Sequence, residues 1–434
     1  MPLRVGLVAG ESSGDLLGAG LITAVRKRIP DAVFEGVAGP EMVAAGCQRW
    51  ADAEELAVMG VVEPLKHLPR LLRLRRSLIS RWRESPPDVF VGIDAPDFNL
   101  GVEAALKASG IRTMHYVSPS IWAWRAGRVR KIRKAADCVI CILPFEPALY
   151  EEHGVGAVFV GHPKADSLSP EIDVAAVRAG LGLPVDRRVI AILPGSRGSE
   201  VTRLAPIFAA AAANVAAREE GVHFVTPVAA PKLRPVIEAS LQQHSVADRF
   251  TIVDGHSIEA MSAAEIVVLA SGTAALESAL LGKPTVAAYC VSPLTALIVK
   301  LFGLLKVNRF TLPNLLTGET LVPEFIQGDA RPDAIADEVV DLLRDPGRCA
   351  AITDRFAKLR SELAMNSDAR AADALIRLIA QGKPGPRTDH AAVASRFPDR
   401  ARRRCRRGGA RTAGWAGGGG GRHPAPAAPD YRPL

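Results

Sequence analysis

Aromatic side chains are scarce in this 434-residue chain: Phe, Tyr and Trp make up 5% of it, while hydrophobic residues reach 48%. Such a core must be built from Ala, Leu and Val, which suits helices packed on both faces of a parallel sheet. Cysteine is sparse too, with six residues scattered over positions 47, 138, 141, 290, 349 and 405. That scatter excludes a small disulfide scaffold and fits a reducing compartment. Cys138 and Cys141 have redox spacing, but they sit in an apolar strand-like run, where two buried structural thiols are expected. No apolar stretch reaches membrane-spanning length, because Pro293 and Lys300 interrupt the most hydrophobic region. The first residues form a short strand pattern that runs directly into Glu11 and Asp15, which is not the pattern of a signal peptide. Neither half carries the glycine fingerprint of a nicotinamide enzyme, and there is no Asp-x-Asp pair to hold a divalent ion. No cofactor and no metal are expected.

Charge of one sign is concentrated rather than spread. The formal net charge is +8, yet residues 383–434 alone hold eleven Arg and one Lys against three Asp, leaving the rest near −1. Nucleic acid is therefore not an expected partner of the body. The 383–434 segment is rich in Arg, Gly, Pro and Ala, cannot bury a core and is expected to be a disordered basic tail.

The rest is long enough for two or three domains. Strand-like runs recur at 3–9, 32–38, 88–93, 112–117, 138–143 and 157–160, separated by helical or loop segments. A second series follows Gly161-His162-Pro163, at 188–193, 222–226, 250–253, 265–270 and 285–289. This alternation predicts an α/β chain of two successive Rossmann-like, doubly wound halves with a ligand cleft between them. The expected divisions are residues 1–165, 166–345, C-terminal helices over 346–382 and the tail.

Four strand-to-helix junctions carry small or charged residues. Gly10-Glu11-Ser12-Ser13-Gly14-Asp15 allows close backbone approach, and its acids favour sugar or acceptor hydroxyls over bare phosphate; an ordinary βα turn fits the residues equally well. Asp94 and Asp97 flank a proline at the carboxyl end of a strand, as a general base or as plain turn formers. Pro194-Gly195-Ser196-Arg197 is the strongest anion signal, pairing small residues with a planar, always charged guanidinium. Ser271-Gly272-Thr273 opens a helix whose free amides attract phosphate, and Glu277 lies one turn on, where it could take a ribose diol or simply be solvated. Asn314 supplies an amide on a later loop. Residues 64–84 predict a basic amphipathic helix with Leu68, Leu71, Leu72, Leu78, Ile79 and Trp82 on one stripe, suited either to an anionic membrane surface or to core packing. The basic run 125–134 after Trp122 and Trp124 and the leucine-rich stretch 294–305 are further candidates for lipid contact.

Taken together, the stretches 9–15, 92–98, 116–124, 143–146, 193–197, 271–277 and 312–316 resemble, in order, those of the lipid-A-disaccharide synthase family. The resemblance covers residues 3–380 and ends at the tail, which is unlike the family's short helical ending. It implies an inverting GT-B glycosyltransferase. The reaction implied joins UDP-2,3-diacylglucosamine to 2,3-diacylglucosamine 1-phosphate (lipid X), giving the tetraacyl disaccharide 1-phosphate and UDP. It also implies a cytoplasmic protein held peripherally at the inner face of the bacterial inner membrane, with homodimerisation left open. The family's essential acid falls on Asp97, its arginine on Arg197 and its asparagine on Asn314. Glu11, Ser12, Ser13, Asp15, Arg197 and Asn314 are then expected to meet substrate, and Gly195, Ser196, Arg197, Ser271, Gly272, Thr273 and Glu277 to hold the nucleotide. The alternative within sugar-nucleotide enzymes is a UDP-N-acetylglucosamine 2-epimerase, which needs no acyl-binding surface.

Overall fold

The computed structural model describes residues 2–57, 64–119, 128–169, 171–291 and 309–381. Trp122, Trp124, Arg125, the 294–305 stretch and the 383–434 tail lie outside the described residues. The first half runs β1 (Arg4–Ala9), α1 (Ser12–Arg26), β2 (Val33–Ala38), α2 (Pro40–Ala44), β3 (Cys47–Asp52), α3 (Glu54–Ala57), α4 (Pro64–Glu84), β4 (Val89–Ile93), α5 (Pro96–Ala108), β5 (Arg112–Tyr116), α6 (Val129–Ala135), β6 (Cys138–Cys141), α7 (Glu146–Glu151) and β7 (Gly156–Phe159). After α8 (Pro163–Ser167) come α9 (Val174–Gly180), β8 (Arg188–Leu193), α10 (Gly198–Arg218), β9 (Val222–Val228), α11 (Arg234–Gln243), β10 (Phe250–Asp254), α12 (Ser257–Ala263), β11 (Ile266–Ala270), α13 (Thr273–Leu280), β12 (Thr285–Tyr289), α14 (Leu312–Thr317) and β13 (Glu324–Ile326). Three helices finish the described chain: α15 (Pro332–Arg344), α16 (Pro346–Leu363) and α17 (Ser367–Ala380).

The strands form two sheets, β3-β2-β1-β4-β5-β6-β7 and β10-β9-β8-β11-β12-β13, and every pairing is parallel. In each sheet the strand order reverses once, between β1 and β4 and between β8 and β11, and such a switch point opens a crevice at the carboxyl ends of its two strands. The registers Ala9↔Ile93 and Leu269↔Leu193 bring those ends level. β3 and β13 were not expected from the sequence. Both are edge strands, one interrupted by Gln48, Arg49 and Asp52 and the other three residues long, so neither shows the apolar run that burial on both faces demands.

Side chains of the first sheet alternate between two cores, as strand geometry requires. Val5, Leu7 and Ala9 of β1 and Val89, Val91 and Ile93 of β4 face α1; Val8 and Phe90 face α4 and α5. The core on the α1 side is completed by Ala371, Ala372, Leu375 and Leu378 of α17, so the last described helix belongs to the first sheet while α16 packs with the second half. The C-terminal helical region expected over 346–382 is broken at Asn366, whose φ of 56° cannot continue an α-helix.

On the other face, α4 forms where the sequence places it, but its stripe is largely spent inside. Leu71, Leu78 and Trp82 are buried, and the Trp82 ring lies 5.1 Å from Trp50 and 4.9 Å, edge to face, from Phe90. Trp82 is therefore not available as a membrane anchor, whereas Leu68 is 45% exposed. Trp82→Ala is expected to cost about 3–5 kcal/mol through the cavity it leaves, read as a lower urea midpoint with an unchanged slope. Cys138 and Cys141 are free thiols, and burial pushes Cys138 up to about 11 and Cys141 higher still, as structural rather than redox cysteines.

Two chain crossings join the halves. His162 N donates to Leu363 O at 2.8 Å, and the Asp166 carboxylate accepts from Asn366 N at 2.9 Å and Ser367 N at 2.6 Å, capping α17. His162 Nδ1 accepts from Lys164 N at 3.2 Å, which requires that nitrogen unprotonated. Burial, aided by the Lys164 ammonium, pushes the His162 pKa from 6.5 down to about 4. Between those values the unfolded chain binds the proton more readily, so this group's contribution to stability is full above pH 6.5 and is lost as pH falls toward 4. His162→Asn, whose amide oxygen still accepts the Lys164 N–H, is expected to flatten that part of the profile in urea titrations at pH 7 and pH 5.

Candidate active site

At the first switch point the β1 and β4 loops touch. A Cβ on Gly10 would sit 2.5 Å from Ala95 Cβ, so only glycine allows the contact. Glu11, Asp94, Ala95 and Val117 all have positive φ, at 87°, 53°, 41° and 75°, just beyond β1, β4 and β5. Left-handed backbone in four non-glycine residues, one of them β-branched, is strain that the surrounding structure must hold in place. Asn99 does much of that holding. It is fully buried, and its Nδ2 donates to Val8 O, Ile93 O and Asp94 O at 3.2, 3.2 and 2.8 Å, tying both strand ends to the turn before α5. Deeper still, the buried His115 Nδ1 meets Glu103 Oε1 at 2.7 Å, and burial pushes the Glu103 carboxyl above its usual range.

Asp97 lies in the first turn of α5 with its side chain 68% exposed, paired to Arg128. Arg128 belongs to the basic run read as a lipid contact, and its partnership with the acid was not legible in that run. Glu11, Ser12 and Ser13 are exposed at the mouth of the same junction. Asp15 is not. It is 2% exposed and accepts from Gly39 N at 2.8 Å, Glu41 N at 2.8 Å and Met42 N at 3.1 Å, so its carboxylate caps α2 instead of meeting a ligand.

The second switch point brings the other loops together. Gly195 has φ 123°, and a Cβ there would meet Glu200 at 2.8 Å and Ala270, at the end of β11, at 3.6 Å. Ser196 and Arg197 are exposed; Arg197 Nη1 bonds Glu200 Oε1 at 3.0 Å, which steadies a side chain otherwise 74% exposed. Ser271 N is used by Ala288 O at 2.8 Å, but no side chain caps α13, and Gly272 and Thr273 are exposed. An uncapped helix start of this kind leaves backbone amides without an intrahelical partner, the type of group that can meet an anion. Glu277 is 16% exposed and bonded by Lys164 Nζ at 3.0 Å, a link from α8 to α13 that the sequence did not announce. Asn314 departs from expectation. Buried completely, it donates to Val322 O at 2.6 Å and Glu324 Oε1 at 2.9 Å and accepts from Leu321 N and Val322 N, both at 2.8 Å. All four of its hydrogen bonds are made within the protein, so it does not contact substrate.

The family model for lipid-A-disaccharide synthetase matches residues 5–379. The chain belongs to the lipid-A-disaccharide synthetase family. Relatives named lipid-A-disaccharide synthase include those of Xanthomonas campestris pv. campestris (strain 8004), 49% identical over 88% of this chain and 87% of the relative, and of Xylella fastidiosa (strain 9a5c), 47% identical over 87% and 98%. That of Alkalilimnicola ehrlichii is 49% identical over 86% and 98%. As a lipid-A-disaccharide synthetase family member the chain is a glycosyltransferase of lipid A disaccharide synthesis, and its two parallel sheets with their helices are the GT-B architecture. Solved structures share that fold: Anabaena HepE in complex with UDP has a TM-score of 0.53 at 15% identity, covering 88% of this chain and all of that one. The UDP-N-acetylglucosamine 2-epimerase of Neisseria meningitidis bound to UDP-GlcNAc has a TM-score of 0.57 at 13% identity with the same coverage. Those two likenesses speak to the fold alone; family membership, not fold, separates the chain from an epimerase.

Proposed function

We propose that this chain transfers the diacylglucosamine of UDP-2,3-diacylglucosamine onto the primary hydroxyl of 2,3-diacylglucosamine 1-phosphate, with inversion. Asp97 takes the hydroxyl proton as the oxygen attacks the anomeric carbon; the bond from that carbon to the diphosphate oxygen breaks, and UDP leaves. Arg128 directs the carboxylate. The exposed setting of Asp97 lets it return its proton to water. Arg197 and the amides following Gly195 and Gly272 stabilise the charge that develops on the leaving diphosphate, and Glu277 takes the ribose diol. Glu11, Ser12 and Ser13 contact the acceptor sugar. The acceptor side is the domain 1–165 and the donor side 166–345, with helices over 346–382 bridging them.

The observation that carries this reading is the placement of an exposed acid paired to Arg128 at one switch point and of exposed Arg197 beside an uncapped helix start at the other, one in each sheet. Among the described residues no helix is long and apolar enough to cross a membrane. We place the enzyme peripherally on the inner membrane's cytoplasmic face, with exposed Leu68, Arg70, Arg73 and Arg76 of α4 toward anionic lipid. Incubating the protein with lipid X and either the diacylated donor or UDP-N-acetylglucosamine tests the reading. A tetraacyl disaccharide 1-phosphate formed from the diacylated donor alone is expected. Equal use of the unacylated donor, or its epimerisation, would contradict it.

A further inference from the structure

Glu324 opens β13 and is half-buried, and its carboxylate gathers four hydrogen bonds from one stretch of chain. Oε2 accepts from Phe310 N at 3.0 Å. Oε1 accepts from Thr311 N at 2.8 Å, Thr311 Oγ1 at 2.7 Å and Asn314 Nδ2 at 2.9 Å. Asn314 then reaches on to the 321–322 backbone through its other three bonds. Thr311 and Asn314 are 1% and 0% exposed, so these bonds form in a region water does not compete for. Charge-assisted bonds of this kind are the strong ones. The carboxylate is a clamp on the root and first turn of α14.

What the clamp holds is the nucleotide helix. Leu312 and Leu316 of α14 pack in one cluster with Leu276 and Leu280 of α13 and with Leu359 and Leu363 of α16. Glu277 sits between those two α13 leucines, and the uncapped start of α13 is the Ser271–Thr273 turn. Moving α14 therefore moves the surface on which α13 rests.

We infer that Glu324 is a positioning residue for the donor nucleotide, acting through Asn314 and α14 on the seating of α13. Asn314 contributes as part of the same clamp, which gives a buried amide a role in the reaction without a substrate contact. The inference rests on the proposed assignment of α13 to UDP, and the test separates the two.

Glu324→Gln keeps the side chain's size but sets an amide N–H against the Phe310 N–H or against the donors on Oε1, so at least one of the four bonds is lost. With the full chain, calorimetric titration of UDP is expected to show Kd raised about tenfold, the equivalent of one charge-assisted bond. KM for the donor should rise in parallel, while kcat at saturating donor stays within about threefold, the pattern of lost binding shared by ground and transition states. Asn314→Ala combined with Glu324→Gln should bind UDP no more weakly than Asn314→Ala alone, because both remove one clamp. Trp82→Ala is the control for general destabilisation and should leave UDP affinity unchanged. Unchanged UDP affinity in folded Glu324→Gln, or independent multiplying losses in the double variant, would overturn the inference. If Glu277→Gln also leaves UDP affinity untouched, the assignment of α13 to the nucleotide is what fails.

Discussion

Asp97→Asn is expected to lower kcat about a thousandfold or more, the scale of a lost general base, while UDP binds as before. The substitution keeps shape and one acceptor oxygen but removes the ability to take a proton. Asp97 is exposed at the start of α5, so the change should leave the fold's stability nearly intact. The backbone that aims it is held by other residues: the left-handed pair Asp94 and Ala95, and the Asn99 amide beneath them. Steady-state transfer assays beside calorimetric UDP titration check the prediction. Near-normal turnover in the variant would remove Asp97 from the base's role and turn attention to Asp94 and Glu11 at the same junction.

Arg197→Ala should be the second large loss, about a hundred- to a thousandfold in kcat, the scale of one preorganised donor to a developing oxyanion. Arg197 projects from the loop after β8 and touches the protein through Glu200, so little folding energy rides on it. Arg197→Lys should recover only a small part of the loss. An ammonium keeps the charge but not the fork that spans two phosphate oxygens. Full recovery by lysine would show that the site needs charge alone. The Glu200 pairing adds a finer expectation: Glu200→Gln frees the guanidinium from its neighbour and should weaken transfer less than loss of Arg197 itself.

Much of this was legible in the chain because parallel sheets bury their strands on both faces. The strand-like runs read at 3–9, 88–93 and 265–270 each end in a loop of small or acidic residues, and the structure puts each run beside a switch point. The loops that carry Asp97, Arg197 and Ser271 to Thr273 were therefore found from sequence alone. Residues whose partners lie far along the chain were not. Asp15 looks like a ligand contact until Gly39, Glu41 and Met42 fold over it. Asn314 looks like a free amide until Glu324 and the 321–322 backbone use it up. The stripe on α4 has the period of a surface-seeking helix, and only the packing of Trp82 on Trp50 and Phe90 shows which part faces inward. Strain was illegible for a different reason. Val117 at φ 75° runs against the local preference of a β-branched residue, and only the assembled strand ends force it there.

A structure of the chain with UDP bound tests the central claim most directly. The diphosphate should lie against Gly195, Ser196 and Arg197 and the start of α13, with the ribose at Glu277 and the β1–β4 junction left open around Asp97. A nucleotide seated instead at the β1–β4 junction, against Glu11, Ser12 and Asp97, would contradict it.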